Sequence, residues 1–220
     1  MKEALKAARV IAIVRGDYVE TIHQIAGALL EGGVTAVEVT MNSRGALGLI
    51  ETLAKEYGET MLVGAGTVVE VEHVRQAHEA GARFIVSPDT FPEVIRAALD
   101  CGMEPIPGAF TPTEIRTAQR AGARLVKLFP ASLGGPNYMR QIRAPLSDVD
   151  LIPTGGVSLE NAADFLRAGG VALGLGSVLL PSSFDGSAQA VASLTERARR
   201  LMEIVRAVDR EKQRVMSNEQ

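Results

Sequence analysis

The chain has no tryptophan, one cysteine (Cys101) and three histidines (His23, His73 and His78) among 220 residues. One cysteine excludes an intramolecular disulfide. No two histidines stand in an HxxxH or HxH pair, so no zinc site built by the protein is expected. His73 and His78, five apart on an expected helix, share no face and read as surface residues. Long apolar runs are missing: none approaches the roughly 18 residues that a spanning helix needs. The opening stretch MKEALKAARV has no secretory apolar core, and a cytoplasmic protein with no membrane partner is expected. The net charge is −3 with the basic residues scattered, which offers no patch for nucleic acid. Lysine is also scarce. Of 23 basic residues only Lys2, Lys6, Lys55, Lys127 and Lys212 are lysines. Four lie in polar stretches and read as solvated, but Lys127 lies inside the apolar run LVKLFP.

What is present is a globular composition, 46% hydrophobic and 22% charged, long enough for one domain with a substantial core. Short β-branched runs alternate with amphipathic stretches. The runs span residues 10–15, 36–42, 61–66, 84–88, 104–108, 125–130, 151–155 and 172–177. Helices are expected near 17–31, 44–57, 70–80, 91–101, 112–121, 135–144, 159–168 and 187–212, the last one long, with a short helix before the first strand and a frayed end from Met216 to Gln220. Thr111-Pro112 and Ser158-Leu159-Glu160-Asn161 read as helix starts. Eight strand–helix units predict a single α/β domain over residues 1–220, a (β/α)8 TIM barrel, with an open doubly wound sheet as the rival.

An internal repeat favours the barrel. EGGVTAVEVT from Glu31, EAGARFIVSP from Glu79, RAGARLVKLF from Arg120 and RAGGVALGLG from Arg167 align without gaps. The third position is Gly33, Gly81, Gly122 or Gly169, suited to the left-handed residue that ends a helix. The blocks feed strands 2, 4, 6 and 8, and alternate strands fill one layer of a barrel. The eighth positions, Glu38, Val86, Lys127 and Gly174, therefore share a layer unless a bulge shifts the phase.

Leu125, Lys127 and Phe129 share one face of their strand, opposite Val126 and Leu128. An unpaired buried ammonium is costly, and burial lowers a lysine pKa and frees a nucleophilic amine. Glu38, the acid inside the apolar strand AVEVT, is placed to move protons for that amine. The structural alternative is a Lys127–Glu38 ion pair. Arg15 ends the first strand on the face of Ile11 and Ile13, at the rim where barrel chemistry gathers. It is suited to a carboxylate or a phosphate, or to a rim salt bridge. Gly64-Ala65-Gly66-Thr67, Pro153-Thr154-Gly155-Gly156 and Gly174-Leu175-Gly176-Ser177 follow strands. The last two suit backbone binding of phosphate, helped by a short helix at Val178–Leu180, or else serve tight turns. None fits the dinucleotide fingerprint.

At GGVTAVEVT, VGAGTV, FIVSP, PGAFTPTE, VKLFPAS, GPNY, PTGGV and GLGS, over residues 8–182, the sequence resembles the 2-keto-3-deoxy-6-phosphogluconate (KDPG)/4-hydroxy-2-oxoglutarate aldolase family. The resemblance implies a class I Schiff-base aldolase on a (β/α)8 barrel, a homotrimer without metal or cofactor, acting in Entner–Doudoroff carbohydrate metabolism. It implies that Lys127 is the Schiff-base lysine and Glu38 the proton-transferring glutamate. Gly66, Thr67, Pro88 and Phe129 match the pyruvate pocket, Gly155, Gly156, Gly176 and Ser177 the phosphate loops, and Arg15 an arginine of part of the family. Where some members carry arginine this chain has Asn42, which puts binding of the pyruvate carboxylate from strand 2 in question and leaves Arg15 to share or take over that role. A related group that cleaves the galactonate epimer also has Asn-Ser there, but valine in place of Thr154. Asn42 thus points to galactonate and Thr154, expected at the C4 hydroxyl, to gluconate.

The expected reaction is cleavage of 2-keto-3-deoxy-6-phosphogluconate to pyruvate and glyceraldehyde 3-phosphate, with 4-hydroxy-2-oxoglutarate, which would yield pyruvate and glyoxylate, as a second substrate. The alternatives are the phosphogalactonate epimer and a non-catalytic barrel that binds sugar-acid phosphates. A metal-dependent phosphosugar epimerase ranks low, because no expected strand contains a histidine.

Overall fold

The computed structural model describes residues 1–218, with the side chains of 215, 216 and 218 left aside. Nine strands are present among the described residues: β1 (Val10–Val14), β2 (Ala36–Thr40), β3 (Leu62–Gly66), β4 (Phe84–Val86), β5 (Glu104–Ile106), β6 (Gly108–Ala109), β7 (Leu125–Leu128), β8 (Asp150–Pro153) and β9 (Leu173–Leu175). The helices are α1 (Lys2–Ala8), α2 (Ile22–Glu31), α3 (Ala46–Tyr57), α4 (Val71–Glu79), α5 (Pro92–Asp100), α6 (Pro112–Arg120), α7 (Gly135–Arg143), α8 (Ala162–Arg167) and α9 (Ala188–Asn218). None is long and apolar enough to cross a membrane.

All strand pairs are parallel. They form a six-stranded sheet in the order β5-β4-β3-β2-β1-β9 and a three-stranded sheet in the order β6-β7-β8. The single eight-stranded ladder expected from the sequence is therefore not what the hydrogen bonds draw, and two curled sheets take its place. Prolines stand at both seams. Pro107 separates β5 from β6 and has no N–H to donate, although its carbonyl accepts the Lys127 N–H at 2.9 Å. Pro153 ends β8 and likewise offers no donor toward β9, where the Thr154–Gly174 bridge and the Val171 N–H, donating to the Leu151 carbonyl at 3.0 Å, link the two sheets.

The repeat holds in its backbone detail. Gly33, Gly81, Gly122 and Gly169 all have positive φ, between 89° and 107°, which glycine adopts without steric cost. Thr111 and Glu114 form the expected capping box at α6. At α8 the start lies later than expected: Asn161 Oδ1 accepts the Ser158 N–H, and α-helix begins only at Ala162. At the C-terminus α9 runs to Asn218, beyond the 212 expected for it; Glu219 and Gln220, in the stretch expected to fray, lie outside the described residues.

Burial follows the period-two pattern. Val126 and Leu128 pack in the layer between strands and helices, whereas Leu125 joins an inner cluster with Ile11, Ala36, Phe84, Val86, Ile106 and Ile152. Leu5 of α1 belongs to that cluster and is fully buried. A methyl on Gly64 would lie 2.5 Å from the Phe84 ring, so the missing side chain makes room for this ring.

The lysines read as solvated divide: Lys55 and Lys212 are exposed, whereas Lys2 and Lys6 are half-buried and pair with Asp150 at 2.7 and 3.3 Å. Lys212 Nζ also donates to the Leu166 carbonyl at 2.9 Å, and burial lowers its pKa first, with Arg9 adding to the fall. Among the described residues, Glu38 is one of two buried glutamates on strands. Glu104, at the start of β5, is 1% exposed and ion-paired with Arg124.

Candidate active site

Glu38 and Lys127 are 2% and 4% exposed. They come from β2 and β7, in different sheets, and line one small interior cavity together with Val86 and Gly174. All four residues of the expected layer thus meet, and no bulge has shifted the phase. Ile11, Ile13, Ile106, Ile152 and Thr154 complete the wall, leaving about 10 Å³ free. Above it opens a mouth cavity of about 350 Å³. Lys127 and Thr154 line both, so the amine stands between the buried interior and the opening.

The structural ion pair between Lys127 and Glu38 is absent: no oxygen of Glu38 lies within 4.0 Å of Nζ. Nζ instead lies 4.6 Å from the centre of the Phe129 ring. Burial pushes the Glu38 carboxyl up, against the pull of Lys127 and then Arg15. Burial pushes the Lys127 amine down, with Glu38 opposing and Arg15 adding to the fall. Each group is thereby moved toward its neutral form, the state in which an amine is nucleophilic and a carboxyl can give a proton.

Of the residues singled out from the sequence, Arg15, Lys127, Phe129, Thr154, Gly155, Gly156, Gly176 and Ser177 all line the mouth. Arg15 is exposed and, among the described residues, has no carboxylate partner, so the rim salt bridge is not formed. Its Nη2 contacts Thr67 Oγ1 at 3.4 Å. Thr67 has φ of 56°, unusual for a β-branched residue and costing about 1–3 kcal/mol, so the surrounding chain holds it there. Glu38, Gly66, Thr67 and Pro88 do not line the mouth. Gly66 instead lies against Glu38, since a methyl there would approach Oε1 to 2.8 Å, and Pro88 lies against Gly108, the register partner of Lys127. Asn42 is exposed and outside the mouth cavity.

The two phosphate-type loops lie side by side in the mouth, joined at their base by the Thr154–Gly174 bridge. Gly155 and Gly156 both have φ of 82°. The N–H groups of Gly156, Ser177 and Val178 donate to no protein group among the described residues. The short helix expected at Val178–Leu180 is a single turn instead, because the N–H groups of Leu179 and Leu180 both return to the Gly176 carbonyl at 2.9 Å. Sequence reasoning missed Ile13, Val157 and Ser182 in the lining, whereas Val178 and Leu180 were expected beside the phosphate loops. Ile13 was legible from the alternation that ends in Arg15, whereas Ser182 carries no motif. His73 is half-buried rather than on the surface, and His78 is exposed. Among the described residues no cluster of three or more His, Cys, Asp or Glu side chains is arranged to hold a metal ion.

A family model described as KDPG and KHG aldolase matches residues 1–194. A probable 2-dehydro-3-deoxy-6-phosphogalactonate aldolase of Rhizobium meliloti (strain 1021) is 43% identical over 188 residues, 84% of this chain and 89% of its own. A 2-dehydro-3-deoxy-phosphogluconate aldolase of Treponema pallidum (strain Nichols) is 39% identical over 181 residues, 82% of this chain and 86% of its own. A solved structure described as native KDPGal is similar with a TM-score of 0.84 and 36% identity, over 91% of this chain and 96% of its own. With this match in sequence and in fold, the chain belongs to the KDPG and KHG aldolase family and is a carbon–carbon lyase.

Proposed function

We propose that the protein is a Schiff-base aldolase that cleaves 2-keto-3-deoxy-6-phosphogluconate to pyruvate and glyceraldehyde 3-phosphate. The observation that carries this reading is Lys127, buried, without an ion-pair partner, and facing Glu38 across a cavity that opens toward neutral phosphate-type donors. A barrel that only bound its ligand would have no use for a desolvated amine beside a carboxyl. We also read the two curled sheets as one eightfold barrel interrupted at its prolines. The Pro107 carbonyl bond to Lys127 and the Thr154–Gly174 bridge support that reading.

In the reaction Lys127 Nζ adds to the C2 ketone, and neutral Glu38 gives the proton with which the hydroxyl leaves as water, so that a cationic iminium and the Glu38 carboxylate remain. The electron pair of the C3–C4 bond flows into the iminium as Glu38 takes the C4 hydroxyl proton, and glyceraldehyde 3-phosphate departs. Glu38 then returns a proton to C3 of the enamine, and water releases pyruvate and the free amine. The interior cavity of about 10 Å³ is near the least volume that holds one water, which suits relay through a single molecule. Arg15 holds the pyruvate carboxylate. Gly66, Thr67, Pro88 and Phe129 shape the pyruvate end, and Thr154 meets the C4 hydroxyl. Gly155, Gly156, Gly176 and Ser177 hold the phosphate. Small unphosphorylated acids such as 4-hydroxy-2-oxoglutarate fit the same chemistry.

A homotrimer in the cytoplasm is part of the proposal. Leu133, 75% exposed, and Phe91, 40% exposed, support burial of apolar surface between subunits.

The test is borohydride reduction in the presence of pyruvate. A stable adduct on Lys127, absent in Lys127→Met, is expected; no adduct on the wild-type chain overturns the mechanism. A second reading, the phosphogalactonate epimer, is favoured by Asn42 and by the name of the Rhizobium relative. The ratio of kcat/KM for the two epimers decides between them.

A further inference from the structure

We infer that Ser182 is a substrate-binding residue that selects phosphorylated over unphosphorylated substrates; this rests on the aldolase reading and adds to it a residue that no motif marks. The chain leaves β9 at Leu175 and turns at once onto the Gly176 carbonyl. It is then held at three points. Arg197 Nε, from α9, donates to the Leu179 carbonyl at 3.0 Å. The Phe184 N–H donates to the Pro181 carbonyl at 3.0 Å, and the Tyr18 hydroxyl donates to the same oxygen at 3.4 Å. The rings of Tyr18 and Phe184, both buried, meet edge to face with centroids 6.4 Å apart. Between these anchors Ser182 is exposed and lines the mouth, whereas its neighbour Ser183 does not. The Ser182 hydroxyl has no protein partner among the described residues. A surface serine on a free loop loses entropy when a ligand orders it. Here the backbone is fixed beforehand, so little further order is lost on binding.

The lining indicates what this hydroxyl meets. Arg15 and Lys127 are the charged side chains of the mouth. Arg15 turns to Thr67, beyond β3 and away from β9. Around Ser182 the donors are neutral: the Ser177 hydroxyl and the free N–H groups of Gly156, Ser177 and Val178. A phosphate offers three strong acceptor oxygens, more than one hydroxyl and the nearby N–H groups need to share. Where no cation is directed at the phosphate, each added donor carries a larger part of its recognition.

The experiment compares kcat/KM for 2-keto-3-deoxy-6-phosphogluconate with that for 4-hydroxy-2-oxoglutarate in the wild type, Ser182→Ala and Ser182→Asp. Loss of one hydrogen bond to a charged group is expected to lower the ratio about tenfold in Ser182→Ala. Like-charge repulsion is expected to lower it about a hundredfold in Ser182→Asp. Calorimetric titration with inorganic phosphate should show affinity falling in the same order. Ratios and phosphate affinities within about twofold of the wild type in both variants, less than any such hydrogen bond contributes, overturn the inference. Failure of the aldolase reading is separate: it shows as no pyruvate adduct on wild-type Lys127, while the phosphate titration still reads Ser182.

Discussion

A methyl group added at Gly66 would press on the proposed proton-transfer group, and that makes Gly66→Ala the most informative substitution. A methyl on Gly66 would lie 2.8 Å from Glu38 Oε1 and 3.1 Å from Thr40 Cγ2, where ordinary contact begins at 3.4 Å. The carboxyl must therefore retreat by 3.4 − 2.8 = 0.6 Å, or β3 must move. A misplacement of about 1 Å in a catalytic group costs about a hundredfold in rate, so a shift of this size is expected to lower kcat about tenfold. Lys127 lies on the other sheet and is not touched, so borohydride trapping of pyruvate should persist. Overpacking also costs about 1–3 kcal/mol of stability, so the kinetics are measured well below the melting transition of the variant.

The assay that isolates the cause is a double-mutant cycle with Glu38→Gln. Removing a general acid–base group is expected to cost about 10²–10⁴ in kcat. If the Gly66 methyl acts by displacing the Glu38 carboxyl, Gly66→Ala adds nothing once that carboxyl is gone. The double variant then turns over within about twofold of Glu38→Gln alone, the strong non-additivity expected of residues in contact. Multiplicative losses would refute the reasoning. They would mean that the methyl intrudes on the pyruvate pocket directly, or strains β3 independently of Glu38.

Two further outcomes follow from the charges. Burial first holds the Lys127 amine below the ordinary lysine range, with Glu38 favouring the ammonium and Arg15 opposing it. Schiff-base formation requires the neutral amine, so its rate falls on the acid side as the amine takes up a proton. Glu38→Gln removes the charge that favours the ammonium, and the acid limb of pyruvate trapping should move to lower pH; movement to higher pH would contradict the electrostatics. The Glu104 side chain has 0% exposure and is paired with Arg124, itself 57% exposed. Arg124→Ala should cost about 2 kcal/mol in calorimetric unfolding, less than a fully buried pair because the guanidinium is half in water. Glu104→Gln in the same chain should recover most of it, and a loss below about 0.5 kcal/mol, the scale of an exposed pair, would sink the argument.

Much of this site was legible because it obeys periodicities. The two-residue alternation of Leu125, Lys127 and Phe129 and the four-block repeat together aimed Glu38 and Lys127 into one cavity. What the alternation cannot register is a contact made by a missing donor. Pro107 and Pro153 sit inside runs that read as strands, yet each removes an N–H at the place where one sheet gives way to the next. Ser182 lies beyond every strand, and its position depends on Tyr18, Phe184 and Arg197, partners from three separate parts of the chain. The left-handed Thr67 was invisible for a related reason: local preference argues against it, and tertiary contacts prevail.

The two buried glutamates show where composition and pattern reach their limit. Glu38 and Glu104 both lie on strands of the same sheet and are equally inaccessible. Burial alone therefore does not mark the reactive one. Glu104 is at the first residue of β5, where the guanidinium of Arg124 approaches from solvent and neutralises it. Glu38 sits in the middle of β2, flanked by Gly66 where a side chain would collide with it, and has no hydrogen-bond partner among the described residues. A carboxyl bonded to its own counter-ion has its oxygens occupied by that partner. A carboxyl kept apart from the nearest amine by more than ion-pair distance, and pushed toward its neutral form, remains free to exchange a proton with whatever occupies the gap. Gly66, by leaving the carboxyl room to sit where it does, thus bears on the chemistry through the acid it faces.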